Sequence, residues 1–177
     1  LELSDSFSID PALPLEKGIF STPDGMPLFG AIGDTSPDSW GRRLMRKAEQ
    51  RLADRDGRQA RTLSELHYLL CVSDSARLGS LRFVCRKGSG FSQAESEYMP
   101  PLRDLGRLMH LSERVGRNDE TVEELLSFLA PATVLGGARP KVSVIDDDGH
   151  LTMAKLPKAS DDYSIETWEE IALRLAE

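Results

Sequence analysis

The chain has 177 residues, 40% of them hydrophobic and 29% charged, with a formal net charge of -7. That length holds one domain or two small ones, and the apolar share suffices for a core. The acidic balance argues against a surface that itself grips DNA while leaving room for a local basic patch, and no apolar run approaches the roughly 18 residues that span a membrane.

Residues 1–35 are rich in Pro, Gly and Ser, which predicts irregular structure with room for short strands. The stretch SPDSWGRRLMRKAEQRLADRDG then carries a helix start: Ser36 as cap, Pro37 at the first helical position and Asp38 at the positive end. Trp40, Leu44, Ala48 and Leu52 recur on one face, and Gly57 is a plausible stop. Arg42, Arg43, Arg46, Lys47 and Arg51 give this helix a basic side. Such a side is either balanced by neighbouring acids or kept for an acidic partner or a phosphate backbone.

TLSELHYLLCVSD predicts a second helix through Leu63, Leu66, Leu69 and Leu70, and GSLRFVCR a short strand. Cys71 and Cys85 lie in these apolar segments and are expected to be buried, reduced thiols. The three histidines and two cysteines show no metal-ligand spacing. SGFSQAESEYMPP is predicted as a linker, Leu102, Leu105, Leu108 and Leu111 mark a third helix, and Val122, Leu125, Leu126 and Leu129 a fourth that Pro131 ends. Beyond it the pattern changes to loop, strand, turn, strand, loop and helix.

In that last part, Val142 and Val144, then DDDG, then Leu151 and Met153 predict a hairpin. Lys155 falls on the face of Leu151 and Met153 because strand side chains repeat every two residues. A lysine there needs either an anionic partner or a route to water by snorkelling. The preceding Gly136-Gly137-Ala138-Arg139-Pro140-Lys141 suits an ordinary tight turn or a backbone nest for an anion. In the closing DDYSIETWEEIALRLAE, Asp162 or Ser164 can cap a helix whose buried stripe is Ile165, Trp168, Ala172 and Leu175. Glu169 beside that stripe is the candidate partner of Lys155; Glu166, Glu169 and Glu170 are otherwise read as solvated. Glycine-rich loop, strand lysine and helix glutamate follow one another as in the amino-terminal lobe of protein kinases.

GGARPK before a strand, AKLP at the lysine and WEEIALRLA after it resemble HipA-type serine/threonine kinases, the toxins of bacterial toxin–antitoxin pairs. LPLEKG at 13–18, SPDSWGRRLM at 36–45 and SDSARLGSLRF at 73–83 resemble further segments of that family, in the same order. The resemblance implies an α+β chain: a small mixed subdomain over 1–115, then the start of a kinase-like nucleotide-binding lobe over 116–177. It implies that Val134, Leu135, Gly136 and Gly137 contact ATP phosphates, that Lys155 binds the nucleotide and that Glu169 pairs with it. ATP with Mg2+ is the implied cofactor set. A helix-turn-helix antitoxin of HipB type and a protein substrate, aminoacyl-tRNA synthetases among the family's, are the implied partners, with any DNA link running mainly through the antitoxin.

Two departures stand out. The family's regulatory serine aligns with Val134, leaving neighbouring Thr133 as a substitute or the control absent. The family's Asp-x-His-x-Lys-Asn catalytic loop has no counterpart; Asp148-Gly149-His150 lacks the Lys-Asn and sits in the hairpin turn. No catalytic residue or metal ligand is therefore expected within the chain, which alone is predicted inactive. It opens on Leu1 and closes on Glu177 inside a helical pattern, so a fragment of a longer protein is the expectation. A cytoplasmic location is expected, and a non-catalytic regulatory module that binds a kinase or antitoxin is the alternative.

Overall fold

The computed structural model describes residues 8–77, 79–84, 99–132, 137, 139–158 and 160–177. Asp10 starts the described order: its carboxylate accepts the Ala12 and Ala31 backbone N–H groups and so holds the short helix α1 (Gly30–Gly33). The long helix α2 spans Ser39–Arg55. Asp38, not Ser36, is its cap, accepting the Trp40 N–H at 3.1 Å. Gly57 beyond it has φ +65 and turns the chain back, as expected for a stop.

Helix α3 is shorter than its leucines suggest, Glu65–Leu70, with Ser64 as cap. Leu66 faces solvent, and Cys71, the residue that ends α3, is exposed between buried Leu69 and Val72, against the expectation of a buried thiol. Cys85 lies outside the described residues. Residues 79–84 form no strand: Arg82 reaches back to Asp74 instead of joining a ladder. Buried Arg77 gathers the Thr35, Leu69 and Val72 carbonyls. Burial pushes its guanidinium below its usual value.

A 3-10 turn at Leu102–Asp104 leads into α4 (Leu105–Arg117), and Asn118 ends it in the left-handed region at φ 60. Thr121 accepts the Glu124 N–H while the Glu124 carboxylate takes the Thr121 N–H, a capping box for α5 (Val122–Ala132). Pro131 sits within its last turn. The hairpin follows, β1 (Lys141–Ile145) antiparallel to β2 (Leu151–Lys155), with Lys141 opposite Lys155. Gly149 at φ +84 makes the turn. Ser164 caps the last helix, α6 (Ile165–Ala176), as one of the two expected residues. The described residues thus form an α+β arrangement of six helices and one two-stranded sheet.

One core joins elements from both sides of residue 115. Trp40, Leu44 and Ala48 of α2 meet Leu108, Leu111 and Val115 of α4, Leu125, Phe128 and Ala132 of α5, Val142 and Val144 of β1, and Leu156. The core face of the hairpin is that of Val142, Val144 and Ala154; Leu151 and Met153 point to solvent together with Lys155. The expected buried stripe of α6 is not buried either, with Trp168 at 60% and Leu175 at 83% exposure. Periodicity marks an apolar side, but none of the described elements covers this one. No helix among the described residues is long and apolar enough to cross a membrane.

Two tests follow from this packing. Phe128→Ala should cost about 3–5 kcal/mol in urea unfolding, whereas Leu175→Ala should stay within about 0.5 kcal/mol. Equal losses would place α6 in a core it does not share here.

The second concerns acid. Buried Glu49 of α2 accepts Arg61 through side chain and backbone, and Arg58 as well. These bonds, those of Arg61 first, hold its carboxyl far below the usual range. A carboxyl lowered by folding stabilises above its unfolded value, about 4.3, and loses that contribution as pH falls below it. Glu49→Gln should therefore lower the melting temperature at neutral pH and flatten its decline between about pH 5 and pH 2. Parallel melting curves against pH for both proteins would reject the assignment.

Candidate functional site

The candidate site is the open end of the hairpin, where a side chain of β2 meets one of α6. Lys155, last in β2, and Glu169, one turn into α6, meet at 2.5 Å. Their side chains are 40% and 45% exposed, so the lysine has both a carboxylate partner and a route to water. The antiparallel register sets Lys141 opposite Lys155 on the outward face. Gly137 has φ +116, and a side-chain carbon there would collide with the Lys141 ammonium. Glycine is favoured at 137 by its backbone conformation; the lysine tip lying against it is the far end of a flexible side chain and can move aside. The Ser39 hydroxyl at the start of α2 lies 3.5 Å from the Gly137 carbonyl.

Arg139 braces the site. Its guanidinium donates to Asp161 at 3.1 and 2.6 Å and to Glu166 at 2.7 Å, which fixes the loop to the first turn of α6. Arg139 first, with the Lys158 N–H, holds the Asp161 carboxyl below its usual range. Of the three glutamates, Glu169 pairs with Lys155 as expected, Glu166 pairs with Arg139, and Glu170 pairs with Arg174 while staying exposed. Beside Glu169, the uncovered side of α6 forms an open depression of about 690 Å³ lined by Tyr163, Ile165, Trp168 and Ala172.

Of the residues expected at the nucleotide site, Lys155 and Glu169 meet, and Gly137 lies against Lys141, the strand partner of Lys155. Val134, Leu135 and Gly136, with Thr133, lie outside the described residues. Sequence reasoning missed Lys141 and the Arg139 brace. The signal for Lys141 was its distance from the turn, equal to that of Lys155, which puts the two in register.

The turn itself collects Asp146, Asp148 and His150, whose ligand atoms lie within 4.8 Å of one another, although spacing gave no hint of a metal site. Asp146 accepts the Asp148 and His150 N–H groups and the Thr152 hydroxyl. These bonds account for the arrangement as turn stabilisation.

The basic side of α2 resolves into internal pairs. Arg42 forks onto Glu65 at 2.6 and 2.5 Å, Lys47 and Arg51 reach Glu120 at 2.8 and 3.3 Å, and Arg46 reaches the Tyr68 hydroxyl. Arg43 lies over the Trp40 ring.

No family model matches the chain, and neither a curated protein nor a solved structure matches it.

An ion pair this exposed contributes little to folding. A double-mutant cycle over Lys155→Met and Glu169→Gln should return a coupling of about 0.2–1 kcal/mol that shrinks with added salt. A coupling several times larger and insensitive to salt would mark the pair as a structural brace.

Proposed function

We propose that this chain supplies the nucleotide-gripping part of a HipA-like serine/threonine protein kinase. The observation that carries the reading is a strand lysine held by a helix glutamate: Lys155 and Glu169 at 2.5 Å, from different elements, beside a glycine-bearing loop. In protein kinases that pairing presents the lysine to the phosphates of ATP. Lys141 opposite Lys155 supports it, because two cations in register at one strand end fit a ligand with several negative charges.

On this reading Lys155 grips the nucleotide phosphates and Glu169 aims the lysine. Gly137, with Val134, Leu135 and Gly136, offers backbone N–H groups, as the resemblance implies. Arg139 is a positioning residue, committed to Asp161 and Glu166. Magnesium, when bound with the nucleotide, would supply neutralisation of the phosphate charge; neither it nor the general base is assigned to a residue of this chain. The acceptor is a protein hydroxyl, with aminoacyl-tRNA synthetases as the substrate class and a HipB-type antitoxin as the neutralising partner that the resemblance suggests.

The second reading is a non-catalytic module that binds a kinase or antitoxin. The uncovered apolar side of α6, with Trp168 and Leu175 exposed, favours it. Titration calorimetry with ATP and magnesium separates the two. The chain should bind ATP, and Lys155→Met should weaken binding at least about tenfold with an unchanged melting temperature. No ATP binding, or equal binding by the variant, would reject the nucleotide reading and leave the module.

A further inference from the structure

Helix α4 carries a basic row on its outer side. Arg107, His110, Arg114 and Arg117 follow at intervals of three or four residues, and Arg103 extends the row into the 3-10 turn before it. Helical spacing puts these residues opposite Leu108, Leu111 and Val115, which belong to the core. Arg103, Arg107, His110 and Arg117 are exposed, and among the described residues none of them makes an ion pair. Arg114 alone is engaged, with Glu124 and the Asp119 carbonyl.

The surroundings of the row are open. A groove of about 390 Å³ runs between α4 and α5, lined by Gly106, Arg107, His110, Leu111, Arg114 and Glu124. Gly106 has no atom within 4 Å of the place a side chain would take, so a partner can come close to the backbone. Leu102 and Met109, 36% and 37% exposed, flank the row on its other side.

We infer that the outer side of α4 is a docking surface for an acidic, partly apolar segment of a protein partner. Arg103, Arg107 and Arg117 pair its carboxylates, and Leu102 and Met109 receive an apolar side chain. Arginine forks match carboxylates bidentately. A nucleic acid fits less well for three reasons. The net charge of -7 repels a DNA duplex, whose charge is dense and continuous, more strongly than a short segment with a few carboxylates. Exposed Glu113 and the groove's Glu124 would interrupt contact with a continuous phosphate backbone. The apolar flank offers nothing to sugar and phosphate, whereas a peptide can match both charge and flank. This surface does not depend on the nucleotide reading.

Fluorescence anisotropy on the whole chain tests it, with a labelled glutamate–leucine peptide and, in parallel, a labelled DNA duplex. The peptide should bind saturably. Affinity should fall at least about tenfold as salt rises from about 0.1 M to about 1 M, where the Debye length shrinks from about 10 Å to about 3 Å. Arg107→Glu with Arg117→Glu should weaken it at least about tenfold, and Arg43→Glu on α2 by less than about twofold. If the reversed pair fails to fold by circular dichroism, Arg107→Gln with Arg117→Gln gives the same reading. Failure of the peptide to bind, or binding indifferent to both pairs, overturns the inference. Tighter binding of the duplex, lost in the same variants, overturns it in favour of a nucleic-acid surface.

Discussion

The seating of α2 on α5 is the contact on which the other elements depend. Trp40, Leu44 and Ala48 share one cluster with Leu125, Phe128 and Ala132, and α4 and β1 close it from the sides. A two-stranded hairpin is marginal on its own. Here its Val142 and Val144 are fully buried because α5 lies beneath them. Leu156 adds a second anchor, buried and bonded through its N–H to the Pro140 carbonyl. The position of Lys155, one residue earlier, therefore follows from a core that begins more than a hundred residues upstream.

The same helix explains how charge is distributed. An acidic protein with many arginines can spend them on its own carboxylates, and α2 does so. Glu120 is fully buried between Lys47 and Arg51, and Lys47 also reaches the Val115 carbonyl at 2.5 Å. These bonds tie the α4–α5 junction to α2, and losing one partner would leave a buried charge uncompensated. Apart from Arg114, which holds Glu124 and the Asp119 carbonyl, the basic residues of α4 have no such role, since they stand away from the core. Two helices of similar composition thus differ in what their charge is for.

Sequence alone made some of this legible, and the divide is physical. The hairpin, its turn at Gly149 and the pairing of Lys155 with Glu169 are separated by few residues, so strand parity and one helix start were enough. The Lys47–Glu120 pair spans 73 positions, and no local pattern links them. The α6 stripe was readable as apolar but not as exposed, because a helix period says which residues share a side and nothing about what meets it. The 79–84 segment has strand-forming residues but no neighbour among the described elements to complete a ladder. The α4 row was open to view in the sequence; attention to Leu105, Leu108 and Leu111 passed over the opposite side of the same helix.

The open end of the hairpin breaks a local rule. Like charges directly opposite in an antiparallel pair are unfavourable, and Lys141 faces Lys155. Stability alone would favour an acid or a threonine at one of the two positions. Part of the charge is offset from another element: Glu169 of α6 pairs with Lys155. Departures of this kind gather where a sequence answers to something besides its own fold. An anion between the two lysines would turn the repulsion into attraction. On the nucleotide reading proposed above, that attraction is what the two lysines would be kept in register for.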